Sequence, residues 1–249
     1  NATGEDITIT TGAGNDTVKT GTATNFVGVG SGGDGSSMAI STGAGDDTIE
    51  FGYGIMLAQT IVEAMTITPG PGVDTIKKTG TPVNSTTAAS TPNFVFADGD
   101  SVVGAYDTIT GYDLVEKTNS LLGDLIDIGT GATVGTSIGT TDFGTLKSHS
   151  LTAGEVSFDD ANTWAAAVTI NSSNLSDVTG YLNANLGENT TVTFEYDSTG
   201  NGSADSTFVF TNLASTATSA DTLILLKSTI GAGLSATATT TTDEYIIIG

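Results

Sequence analysis

The chain has no cysteine and no arginine. Without cysteine, no disulfide can hold the fold and no thiolate metal site can form. Without arginine, and with six lysines in 249 residues, there is no basic patch to receive phosphate. This argues against nucleic acid or an anionic membrane surface as partner. No apolar run reaches the roughly 18 residues of a membrane helix, so no membrane span is expected. No signal peptide opens the sequence, which starts at Asn1 within a repeat-like pattern; the expectation is a piece of a longer protein. What is present is acid and small residues. Twenty-eight carboxylates set a net charge of −22, beside 47 threonines and 33 glycines. Threonine favours strands and glycine favours turns, so the composition fits an extended β-rich surface protein. The length suffices for one large or two ordinary domains. The charge either keeps the chain soluble or awaits cations, and its placement decides between the two.

That placement is periodic. Ile9-Thr-Thr-Gly-Ala-Gly-Asn-Asp16-Thr-Val18, Ile40-Ser-Thr-Gly-Ala-Gly-Asp-Asp47-Thr-Ile49 and Ile67-Thr-Pro-Gly-Pro-Gly-Val-Asp74-Thr-Ile76 align without gaps. Gly104-Ala-Tyr-Asp107-Thr-Ile109 is a weaker fourth copy. The aspartates lie 31, 27 and 33 residues apart, near enough to constant to predict repeats resting on one another. In each loop the glycines Gly12/Gly14, Gly43/Gly45 and Gly70/Gly72 allow positive φ and are expected to aim carbonyls at a common point. Asp16, Asp47 and Asp74, with Asp46 beside the second, add carboxylates. Oxygen ligands without nitrogen or sulfur suit Ca²⁺. One loop supplies too few oxygens for a full shell, so the ion is expected to bridge neighbouring repeats.

These loops resemble the G-G-x-G-x-D-x-U-x repeat of RTX proteins, whose parallel β-roll binds calcium. Thr11, Thr42 and Pro69 replace the first glycine, and insertions of about 15–20 residues separate loops that ordinarily follow one another without a break. Residues 107–128, DTITGYDLVEKTNSLLGDLIDI, resemble the element that closes such rolls in secreted bacterial proteins. The resemblance implies metal ligands among Asp107, Asp113, Asp124 and Asp127. Strand alternation puts Leu125 and Asp127 on one side and Asp124 and Ile126 on the other. The resemblance thus implies a mainly β fold: a calcium-binding parallel β-roll or β-solenoid with insertions over residues 1–130, then a β-rich C-terminal domain with a short helix over 131–249.

In the second half, Leu175, Val178, Leu182 and Leu186 recur at helical spacing, with Tyr181 on the flank, Gly180 as a weak point and Gly187 as a C′ stop. TTVTFEYD, STFVFTN and DTLILLK read as strands. Between the first two, DSTGNGSAD places Asp197, Thr199, Asn201, Ser203 and Asp205 at alternate positions with Gly202 at the sixth. This is the ligand pattern of an EF-type loop, but Phe208 stands where the closing Glu belongs. A smaller calcium hairpin and a plain Asx- and Gly-rich hairpin both remain open. DEYIIIG at the end reads either as part of a type I secretion address or as an ordinary last strand.

No enzyme is expected. His149, in LKSHSLTAGE, has no G-x-S-x-G partner motif and reads as a surface residue in a polar loop. No H-E-x-x-H occurs. Trp164 reads as a core residue rather than a sugar platform, and GVGSGGDGSS (28–37) lacks the lysine of a P-loop. The resemblance extends loosely over residues 5–249 to bacterial surface-layer proteins exported by type I secretion. It implies an extracellular, cell-surface location and calcium-dependent assembly with copies of itself. Anchoring to cell-surface glycan would run through a further part of the chain. The alternatives are the calcium-binding export module of a secreted hydrolase or toxin, and an adhesin.

Overall fold

The computed structural model describes residues 7–20, 37–52, 64–79, 92–114, 124–129, 132–213, 221–230, 234–240 and 243–248. GVGSGGDGSS lies outside them except for Ser37, as do most of the segments between the glycine loops. The chain is mainly β, with one helix among the described residues.

Consecutive strands of the first half alternate between two sheets. β1 (Ile7–Thr10), β3 (Ser37–Ser41), β5 (Ala64–Thr68), β7 (Pro92–Val95) and β9 (Leu125–Asp127) are successive parallel neighbours in one sheet. β2 (Thr17–Lys19), β4 (Thr48–Gly52), β6 (Thr75–Thr79) and β8 (Asp107–Thr110) are parallel neighbours in the other. The register is the one the repeats dictate. Ile9, Ile40, Ile67, Phe94 and Ile126 share a rung in the first sheet, and Val18, Ile49, Ile76 and Ile109 in the second. All but the partly buried Ile9 are buried, and together the two rungs make one core. Side chains alternate along a strand, so a slip of one residue would turn the whole rung to solvent. Outside, Glu50 meets Lys19 at 3.1 Å and Lys77 at 3.8 Å across three adjacent strands. Those exposed pairs add little stability.

Both sheets run on past residue 130. β8 pairs parallel with β15 (Thr222–Lys227), and the sheet continues through β14 (Ser206–Asn212), β13 (Thr190–Tyr196), β12 (Glu155–Asp159) and β11 (Ser148–Thr152). The two-residue β10 (Thr133–Val134) pairs with β13. β9 pairs antiparallel with β17 (Asp243–Ile248), followed by β16 (Leu234–Thr240). DEYIIIG therefore includes a strand of the first sheet, lying between β9 and β16. β14 is buried at every residue because it forms a shared wall. Val209 faces the first core, while Phe208 and Phe210 face a second; in β15, Ile224 and Leu226 face the first, and Leu223 and Leu225 the second.

The helix α1 (Leu175–Asn185) covers the second core through Val178, Tyr181 and Leu182. Its end differs from expectation. The N–H of Leu186 bonds Leu182 O and the chain leaves extended, at φ −88° and ψ 139°. The left-handed residue is Asn189, at φ 55°, not Gly187. The Phe143 ring packs on Gly180 and would have to shift to admit a Cβ there.

Two single aromatic residues also differ. His149 lies within β11, not in a loop, with Nδ1 2.9 Å from Tyr181 Oη. Burial holds its pKa below the usual value. Trp164 is 40% exposed rather than in the core. Its segment is turned outward because the Asp159 carboxylate accepts the N–H groups of Ala161, Ala165 and Ala166. Since Trp164 is the only tryptophan, native emission is expected at the long wavelength of hydrated indole, with acrylamide quenching close to that of the denatured chain. A blue-shifted, quencher-resistant band would contradict this placement.

Candidate metal centre

Despite their insertions, the glycine loops sit directly on one another. The backbone N–H of Gly14 donates to Ala44 O at 2.7 Å, and that of Gly45 to Pro71 O at 3.0 Å. A Cβ on Gly43 or Gly45 would overlap the carbonyl of Gly12 or Gly14, and one on Gly70 or Gly72 that of Gly43 or Gly45. The second and third loops need glycine because the preceding loop's carbonyl fills the space of a side chain. This corrects the expected geometry. The loop carbonyls run along the stack and meet the next repeat; they do not converge on one point. The residues in place of the first glycine join in: Thr11 Oγ1 donates to Thr42 O at 2.7 Å and Thr42 Oγ1 to Pro69 O at 2.8 Å. Asn15 and Asp46 form a second ladder, accepting the N–H of Asp46 and Val73 through Oδ1, each at 3.1 Å.

The carboxylates two residues before the inward aliphatic rung form a column. Asp47 Oδ1 accepts the N–H of Asp16 at 2.7 Å, Asp74 Oδ1 that of Asp47 at 2.7 Å, and Asp107 Oδ1 that of Asp74 at 2.6 Å. Each acid thus faces inward and clips its repeat to the one before. Ser101 ends the series: its Oγ accepts the N–H of Asp107 at 2.7 Å and donates to Leu223 O at 2.6 Å. On the next strand Ile224 stands level with Asp107. Nothing in the repeat pattern singled out Ser101, because it lies six residues before the acid it serves and bonds a strand 122 positions away.

One oxygen of each inner acid is left over. Among the described residues, Asp47 Oδ2, Asp74 Oδ2 and Asp107 Oδ2 are buried and receive no hydrogen bond from the protein; a fourth such atom, Asn93 Oδ1, lies on β7 in the opposite sheet. The aspartates themselves are at most 1% exposed. Burial first, then the neighbouring carboxylates, pushes Asp74 up to about 6 and Asp107 up to about 8. A proton on Oδ2 would remove the repulsion but leave a buried O–H without an acceptor, at a cost of about 1–3 kcal/mol. A cation removes the repulsion and leaves no donor unpaired, so the column fits a hard cation. Among the described residues no three His, Asp or Glu side chains gather at one point as a ligand cluster. The column offers its oxygens in sequence along the stack.

The raised values set a pH dependence without divalent ions. Asp74 and Asp107 bind protons more tightly folded than unfolded, so the stability they contribute is fully present below about pH 4 and is lost as pH rises through about 6 and about 8. In chelator the melting temperature is expected to drop between pH 5 and 8. With calcium present the trend flattens or reverses, since the ion binds only ionised carboxylates. A parallel fall in both buffers would remove the column as the cause.

The other expected ligands fall into three arrangements. Asp113 and Asp124 come together, but around Lys78 Nζ, which is 2.7 Å from Asp113 Oδ2 and 2.7 and 2.6 Å from Asp124 Oδ1 and Oδ2. Asp124 faces inward with Ile126, as the alternation has it, while Asp127 Oδ1 accepts the N–H of Gly129. In the hairpin, Asp197 Oδ1 accepts from Thr199 Oγ1 and the N–H groups of Gly200 and Asn201, and its Oδ2 takes the N–H of Gly202. Asn201 and Asp205 likewise cap the N–H groups of Ser203 and Ser198. Those bonds favour the Asx- and Gly-rich turn, because they engage both oxygens of the first acid.

Comparison of the chain with protein-family models, with curated proteins and with solved structures finds no match.

Proposed function

We propose that this chain is a calcium-dependent structural module of a bacterial surface layer, in which Asp47, Asp74 and Asp107 hold calcium between repeats of a β-roll. The observation that carries the reading is the row of three buried, unpartnered carboxylate oxygens in consecutive repeats. They belong to a chain of net charge −22, and each Ca²⁺ bound there cancels two of those charges. Likeness to RTX repeats supports the choice of ion. Surface-layer identity and export by type I secretion rest on that likeness alone.

The physical chemistry links the site to the compartment. An ion that binds only the folded state adds RT ln(1 + [L]/Kd) to its stability. Extracellular calcium near mM would complete the fold, and cytosolic calcium would not, which keeps the chain loose until it is outside. The role is structural rather than catalytic: His149 is engaged by Tyr181, and the carboxylates of the column clip one repeat to the next.

The test is electron microscopy of purified protein, with calcium bound per chain measured in parallel. Ordered sheets with calcium that disperse in chelator are expected. Protein that takes up no calcium would end the proposal. Calcium-loaded monomers would end the surface-layer part and leave an export module of a longer secreted protein.

A further inference from the structure

Lys78 is the only buried cation among the described residues, with its side chain 1% exposed. It follows Asp74 and Ile76 on the inward face of β6. Its ammonium contacts three carboxylate oxygens, two of them from Asp124. That pocket is built rather than incidental. Asp124 Oδ2 also accepts the N–H of Asp113 at 2.8 Å, Asp124 N–H returns a bond to Asp113 O at 2.9 Å, and Tyr112 Oη donates to Asp124 O at 2.6 Å. Tyr112 in turn packs on Phe94. A side chain at Gly111 would overlap the Lys78 carbonyl, so the strand above is cut to fit.

We infer that Asp113 and Asp124 form a cation site that the chain fills with its own Lys78 ammonium, making the β6–β8–β9 end of the stack independent of divalent ions. The contrast with the aspartate column carries this. There, no described side chain brings a donor or a positive charge to the buried carboxylate oxygens; here, the positive charge is covalently attached and cannot be chelated. The attached cation also lies where the first half joins the second, since β8 pairs with β15 and β9 with β17. Order should therefore persist at this end without calcium and spread toward β1 and β2 as calcium is added. The spreading rests on the proposed calcium column; the ammonium's role does not.

Amide hydrogen exchange on the whole chain tests both parts. In chelator, wild-type amides of Ile109, Ile126 and Ile224 are expected to stay protected while those of Val18 and Ile49 exchange freely. Lys78→Met leaves the buried Asp124 carboxylate and the part-exposed Asp113 without their counter-charge and should speed exchange at Ile109 and Ile126 by about a hundredfold or more. The neutral triple variant Lys78→Met/Asp113→Asn/Asp124→Asn separates lost charge pairing from lost packing, and should recover most of the protection. Wild-type protection retained in Lys78→Met, or a triple variant no better than Lys78→Met, would overturn the ammonium's role. Equal protection along the wild-type stack with and without calcium would overturn the calcium column and the spreading, while the Lys78 comparison would still be read in chelator alone.

Discussion

Calcium added to chelator-treated protein is expected to raise its melting temperature by about 5–10 °C for each ion held at a hundredfold over its Kd. Such an ion contributes about 2.7 kcal/mol, and in a domain of this size 1 kcal/mol shifts the midpoint by roughly 2–4 °C. Sodium at equal ionic strength should not reproduce it, because a monovalent ion compensates less of the column's charge and screening reaches buried groups weakly. The sharper form uses Asp74→Asn, which keeps the shape and removes one charge from the middle of the column. In chelator above pH 6 this variant should melt close to wild type, since relief of a buried carboxylate raised to about 6 by burial and its neighbours offsets the cost of an amide NH2 left without an acceptor. In calcium it should melt well below wild type, having lost a ligand. A deficit that appears only with calcium belongs to an ion site. A variant below wild type by the same margin in both buffers would reduce Asp74 to a backbone clip.

Glycine substitution should divide the loops sharply. Gly70→Ala is expected to cost about 2–5 kcal/mol, combining an L-residue at positive φ with a methyl group forced against a backbone carbonyl. Gly70 sits at φ +90° and its Cβ would overlap Gly43 O. Gly12→Ala, at the same place in the first loop, meets nothing within 4 Å and should cost about 0.5 kcal/mol or less. Gly12 is not among the glycines at positive φ, so the two changes are separated by the left-handed backbone at Gly70 together with the carbonyl that stacking brings against it. Equal midpoints in denaturant, with or without calcium, would mean that the loops do not rest on one another. This prediction tests the fold without reference to any ion.

How much could be read in advance depends on how local the cause is. The repeats Ile40 to Ile49 and Ile67 to Ile76 reveal their loop and its inward aliphatic residues directly, because alternation and turn chemistry act within a few residues; that the aspartate also faces inward is seen only in the stack. The strands β13 to β15 and the helix over 175–185 are legible for the same reason. Ser101 and Lys78 are not. Each acts through partners far along the chain, Leu223 for Ser101 and Asp113 with Asp124 for Lys78. Trp164 misleads because a single aromatic in a short polar stretch has no periodicity to orient it; three N–H groups gathered by Asp159 turn its segment outward.

The sequence by itself determined that this is a cysteine-free, acid-rich β protein with glycine–aspartate loops at near-constant spacing, since composition and period need no partner to be read. Only the tertiary structure decided what the loops do to each other. Stacking turns their carbonyls onto the neighbouring glycines and half of each inner carboxylate onto the preceding backbone, leaving one buried oxygen per acid. Which oxygen is spent and which remains depends on the distance between repeats, and that distance is set by packing across the sheets, not by the residues of any one loop.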